Sequence, residues 1–257
     1  MRALRNDTLD SRTAVALAAL AVGFGALGVL GVASGDFAYQ WQPVPPDTPA
    51  RGALALAVGL LEIVAAIMLA PARLRSAGAW LAAALLLGWT ALHIPAVVRR
   101  PASIADWLGV AESAAMASAA LMFAAEWSGV AAADALRRGG SIAFGLAAIL
   151  FGASHFAYAD FTASMIPAWL PQRVALAYFT GAAHALAGVA ILFGVQRTLA
   201  TSLEALMMAG FVVLVHVPRV LAHPDSRMEW TMLCVAVTLS GSAALVAAVS
   251  KRHAAAR

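Results

Sequence analysis

Thirteen carboxylates and six histidines are spread over 257 residues, and a few stand where an apolar chain accommodates them least. Glu62 and His184 each lie near the middle of an apolar run. Asp36, His93, His155 and His216 lie near the ends of others, and Glu112 is eight residues into a further one. Histidine gains and loses a proton around neutral pH, and burial can bring a carboxylic acid into the same range. An ionisable group near a bilayer centre costs several kcal/mol unless it is paired or hydrated. Glu62 and His184 are therefore expected to point inward and to titrate as members of one polar network. Ala55, Gly59 and Ala66 around Glu62 match Ala177, Gly181 and Gly188 around His184, which puts each group on a helix face that a neighbour can approach closely. His93 and His216 stand beside prolines, where an imidazole can cap free carbonyls or serve as a ligand or proton relay. Glu112 is the expected partner of Glu62 or His93.

The elements that position these groups are read from a repeat. Residues 93–107, HIPAVVRRPASIADW, and 216–230, HVPRVLAHPDSRMEW, pair His93 with His216, Pro95 with Pro218, Pro101 with Pro224, Asp106 with Glu229 and Trp107 with Trp230, all at an offset of 123. Glu62 pairs with His184 at an offset of 122, and Asp36-Phe37-Ala38-Tyr39 with His155-Phe156-Ala157-Tyr158 at 119. Apolar stretches of about twenty residues flank each anchor, long enough to cross a bilayer. The expected spans are 13–33, 52–70, 77–95, 104–125, 141–159, 173–194, 199–218 and 229–249, with Pro95 and Pro218 ending the third and seventh. The expected fold is an all-α membrane protein of eight transmembrane helices. They form two tandem four-helix bundles, residues 1–133 and 141–257, joined by a cytoplasmic linker at 134–140 and related by a pseudo-two-fold along the membrane normal. Gly23, Gly25 and Gly28 match a dinucleotide-binding GxGxxG, but no strand precedes them, so they are read as helix-packing residues.

Composition points the same way. Hydrophobic residues make up 62% of the chain and charged ones 12%, with a mean hydropathy of +0.83. Such a balance belongs to a lipid-embedded bundle. The net charge of +4 is carried by basic residues at the ends of apolar runs, where they orient helices, so nucleic acid is not an expected partner. Of 17 Lys and Arg, eleven fall on the side of the termini and six on the other, which predicts a multi-pass inner-membrane protein with both termini cytoplasmic. The first span, basic at its start, is longer than a signal core and is retained as a helix. A single cysteine, Cys234, leaves no disulfide, CxxC pair or thiolate cage, and no metal site is expected. Trp41, Trp107, Trp169 and Trp230 are read as interface anchors.

The second half, with Ser154-His155-Phe156, the 165–171 stretch MIPAWLP, a small-residue sixth span and His216-Val217-Pro218-Arg219, resembles the DoxX-like family of four-helix bacterial membrane proteins. The chain looks like two such units fused. In that family the second helix often carries a glutamate where Glu62 stands, and here the second half has His184 instead. The resemblance implies the fold and a membrane subunit or accessory of a quinone-linked redox system, with a quinone as cofactor and a redox protein as partner. A bis-histidine haem is a minor variant. Two other classes stand beside it: a proton-coupled carrier or channel for a small solute, opposed by the lack of inverted repeats and interrupted helices, and a structural protein without chemistry. No motif with a positioned nucleophile, metal cage or phosphate loop marks an enzyme.

Overall fold

The computed structural model describes residues 9–255, and side chains to Arg252. Arg2, Arg5 and Arg257, which enter the basic-residue count, lie outside the described residues. Those described are helical and loop, with no strand among them. The helices are α1 (Ser11–Ser34), α2 (Arg51–Met68), α3 (Ala72–Arg99), α4 (Ile104–Ser128), α5 (Ala133–Ala157), α6 (Ala159–Met165), α7 (Arg173–Phe193), α8 (Arg197–Phe211), α9 (Val217–Ala222) and α10 (Arg227–Ala255). Among the described residues eight helical stretches are long and apolar enough to span a membrane. One of them, Arg197–Ala222, joins α8 and α9.

Three boundaries differ from the sequence reading. Pro95 sits inside α3 and Pro218 in the first turn of α9, so neither ends its span. The stop falls at the second proline of each anchor. Arg100 and His223, at φ −135, ψ 67 and φ −134, ψ 63, leave the helical region because Pro101 and Pro224 crowd the residue before them. The expected linker 134–140 forms the first turns of α5. Gly129, left-handed at φ 63, ends α4 instead, and residues 129–132 make the connection.

The two anchors turn alike. The indole N–H of Trp107 donates to the Pro101 carbonyl at 2.9 Å and that of Trp230 to Pro224 at 2.8 Å, while Ser103 and Ser226 accept from the backbone N–H of Asp106 and Glu229, each at 3.3 Å. At the opposite ends Arg75 reaches the Leu69 carbonyl and Arg197 that of Ile191, each at 3.2 Å.

α4 and α10 are the most buried spans and pack on each other in the middle. The halves interlock: α1 lies on α10 and α2, and α5 lies on α4 and α7. A Cβ at Gly23 would strike the backbone N–H of Thr238 at 2.6 Å, and α10 comes against α1 at Gly241 in the same way. Small residues thus let α1 and α10 touch backbone to backbone. The 36–50 loop, Arg100–Ser103, α6 and His223–Ser226 share one loop-rich side. There Arg227 donates to the carbonyls of Asp36 and Phe37 at 2.7 and 2.8 Å. On the opposite side Arg252 lies over the Trp127 ring and 3.6 Å from Asp10, which brings the first and last spans together.

Candidate functional site

The residues expected to form one network fall into two clusters. Glu62, eleven residues into α2, lies about 16 Å from the start of that helix at about 1.5 Å per residue and is buried, 1% exposed. Its Oε1 accepts from Gln42 Nε2 at 2.7 Å and from the Trp89 indole N–H of α3 at 3.0 Å. Gln42 is itself fixed by the Ala38 N–H, which donates to its Oε1 at 2.7 Å. Among the described residues no cation is bonded to Glu62. The carboxyl borders a cavity of about 20 Å³ that Trp41, Gln42, Trp89, Ser113 and Met116 also line. That is room for one water molecule and far less than a quinone ring occupies.

His184 lies at the same depth in α7, eleven residues in from Arg173, but its partner is Glu204 of α8. The two are 2.6 Å apart, His184 Nδ1 to Glu204 Oε1, with side chains 3% and 0% exposed. The contact is a short hydrogen bond between two buried side chains that can each carry a proton. Glu204 Oε2 is buried with no partner.

His155, near the end of α5, stands beside this pair. Its ring centroid is 5.1 Å from that of His184 at 72°, and Phe211 lies against both imidazoles while Phe151 meets His184 edge-on. The Thr180 hydroxyl donates to the Leu176 or Ala177 carbonyl at 2.9 and 3.0 Å. With its one hydrogen committed, its oxygen accepts from His155 Nδ1 at 2.9 Å. That assigns the proton of neutral His155 to Nδ1 and leaves Nε2 as its basic nitrogen.

α2 and α7 carry these groups on faces where glycine admits the neighbouring backbone. A Cβ at Gly28 of α1 would strike the Gly59 carbonyl at 2.5 Å, and one at Gly152 of α5 the Gly181 carbonyl at 2.6 Å. Both polar groups are thereby sealed from lipid, as the small-residue pattern predicts. The glycines of the GxGxxG match are packing residues in the same way.

The remaining expected residues stay apart. Asp36 follows α1 and binds Arg51 at 2.7 Å. His155 lies within α5 instead, so the expected correspondence of these two is not found. Burial alone would raise the Asp36 carboxyl, but the Phe37 N–H and the Arg51 guanidinium outweigh it and hold the group below the usual carboxylate range. His93 is buried with its ring against Gly109 of α4 and its Nε2 unpartnered. His216 is half-buried with its Nδ1 unpartnered. Glu112 is half-buried beside the Trp41 indole, without a bond to Glu62 or His93.

Sequence reasoning missed Glu204, Gln42, Trp89 and Thr180. Glu204 had a signal, a lone acid inside the apolar 199–218 run. It does not recur, since the position 122 residues earlier is Ala82. α8 also ends in a π-turn, Val212–His216, with the Val217 N–H donating to the Val212 carbonyl five residues back. The π-turn widens the helix locally and leaves Arg197–Ala222 one continuous span. Among the described residues no group of three or more histidine, cysteine or acidic side chains is placed to hold a metal ion.

Residues 144–217 match a family described as a domain of unknown function, DUF8561. The match takes in His155, Thr180, His184, Glu204 and Phe211. No curated protein and no solved structure matches the chain.

Proposed function

We propose that this is a multi-pass inner-membrane protein with both termini cytoplasmic, a duplicated four-helix unit that binds and releases protons within the membrane. Duplication is supported by the equivalent anchor turns, by the Arg75 and Arg197 caps and by the two glycine crossings. On that reading α1 and α5 correspond at an offset of 124, Gly28 with Gly152, which makes Gly31 the counterpart of His155. α4 and α10, central and in mutual contact, would flank the pseudo-two-fold along the membrane normal.

The observation that carries proton exchange is the His184–Glu204 contact of 2.6 Å, wholly buried at mid-span. A buried pair is least costly with net charge zero, one exchangeable proton shared between imidazole and carboxyl. Glu62 is the simpler version: Oε1 takes both donors, and Oε2 is left to hold or release a proton.

Two systems use such an event. In the proton-coupled carrier, protonation changes the packing of a span, and the π-turn next to Phe211 gives α8 a place to change. In the quinone-linked reading, which rests on the DoxX-like resemblance, the same groups pass protons to a redox partner. At Glu62 the water-sized cavity favours the carrier, because a quinone ring there would require the helices to part.

The test is infrared difference spectroscopy of the protein in lipid, stepped between pH 5 and pH 9. Carboxyl bands that vanish in Glu62→Gln and in Glu204→Gln are expected to rise and fall with pH. Bands that stay fixed across that range would remove proton exchange as the function. Quinone in the lipid extract of the purified protein would move the reading to the redox system.

A further inference from the structure

The two sides of the buried His184–Glu204 pair differ. Toward the loop-rich side it meets His155, whose Nδ1–H is held by Thr180 and whose Nε2 is basic and unengaged. Beyond that, a cavity of about 670 Å³ opens at the start of α7, lined by Asp160, Ser164, Gln172, Arg173 and Val174. Val174 in its lining stands one turn before Ala177, whose carbonyl lies 3.4 Å from His155 Nδ1. Asp160 from α6 and Arg173 from α7 keep that vestibule polar, and His155 itself is half-buried.

Toward the side of the termini the polar path stops. Glu204 Oε2 has no partner. One turn on, Thr201 is fully buried, with its hydroxyl donating to the Arg197 carbonyl at 2.9 Å. α5 and α7 close against each other below His184: a Cβ at Gly188 would meet the Ile149 N–H at 2.9 Å. The charged groups of the neighbouring elements are engaged elsewhere. Glu229 of α10, which faces His216, is held by Arg219, and Glu126 of α4 by Arg137.

We propose that the His184–Glu204 pair exchanges its proton with the loop-rich side alone, through His155, so that the second half is a one-sided proton well. The proposal rests on the proton-exchange function above and adds its direction and its relay. A proton from the vestibule binds Nε2 of His155, whose Nδ1–H stays on Thr180. A ring turn presents the charged Nε2–H to the free Nε2 of His184, and transfer there lets Nδ1 of His184 share its proton with Glu204. Each imidazole gains one proton and passes on one: His155 takes and gives at Nε2, and His184 takes at Nε2 and gives at Nδ1. The first half, with Gly31 where His155 stands, has no such relay.

The experiment uses the full chain in vesicles of one orientation, sorted by a label at Asp47→Cys on the loop-rich side. The infrared carboxyl band assigned by its loss in Glu204→Gln is followed while pH is changed on one side only. The band is expected to follow the pH on the loop-rich side. His155→Asn, whose amide can still donate to Thr180 but carries no second ring nitrogen, should keep the band and slow its response about tenfold or more. His155→Gln serves the same purpose should the asparagine variant not fold. A band that follows the pH of the side of the termini, or one that responds at the wild-type rate in either variant, overturns the proposal. A wild-type band that responds to neither side overturns proton exchange itself.

Discussion

Stability of the buried pair is the most direct consequence of the 2.6 Å contact. With side chains 3% and 0% exposed, neither partner can turn to water when the other is removed. His184→Leu leaves the whole Glu204 carboxyl unbonded, because Oε2 already lacks a partner. A buried charge stranded in this way costs about 3–5 kcal/mol. Glu204→Leu is milder, since imidazole can remain neutral and forfeits one N–H bond, about 1–3 kcal/mol. The double variant strands nothing and should be no worse than His184→Leu alone. The expected coupling is therefore about 1–3 kcal/mol, within the range of directly bonded pairs. Glu62→Gln combined with His184→Leu should instead add to within about 0.5 kcal/mol, since these residues share no partner. Unfolding titrations in mixed micelles on the four proteins of each cycle measure both. Additive losses for His184 and Glu204, or coupling between Glu62 and His184, would refute the two-cluster arrangement.

Three further outcomes are expected. Gly152→Leu should push α5 from α7, since even a Cβ there lies 2.6 Å from the Gly181 carbonyl. It should destabilise the chain by at least about 2 kcal/mol in the same titration, whereas Gly139→Leu, in open space, should change little. The Asp36–Arg51 pair gives a pH effect of known sign: because the folded carboxyl is held below its ordinary value of 3.8, its stabilisation is present above about that pH and fades as pH falls through the lower folded value. Protease nicking of the 43–49 loop should increase there, and less so in Asp36→Asn. Impermeant thiol reagents should label Asp47→Cys and Ser164→Cys in intact cells but not Arg138→Cys, with little background because Cys234 is buried; the reverse pattern would invert the topology.

Spans were legible because twenty apolar residues in a row have few other destinations, and eight appear near the expected places. Their ends were less so. Pro95 reads as a terminator, yet its missing N–H removes only the bond to the Ala91 carbonyl from a long helix, and the stronger stop is steric, the crowding of Arg100 by Pro101. Inward burial of Glu62 and His184 followed from cost alone, and the small residues beside them named the sealed faces. Partner choice was not legible, because it depends on which helices meet: α2 brings Glu62 to Trp89 of α3, and α7 brings His184 to Glu204 of α8. Reading by recurrence also hid Glu204, the polar position that one half has and the other lacks.

That asymmetry extends to the backbone of the same span. On the duplicated reading Arg75 and Arg197 correspond at an offset of 122, while Pro95 and Pro218 correspond at 123, so one extra residue enters between Arg197 and Pro218. A π-turn absorbs one residue without breaking the helix, and Val212–His216 is a π-turn in that interval. The residues before it keep the register of α3, which puts Phe211 where Trp89 stands and Glu204 where Ala82 stands. Trp89 donates a hydrogen bond to Glu62, but phenylalanine cannot donate one to His184. With Phe211 in that place the polar group of α7 must find its partner elsewhere, and Glu204, two turns away on α8, supplies an acceptor. One half thus holds its mid-span acid with neutral donors and the other holds a histidine with an acid.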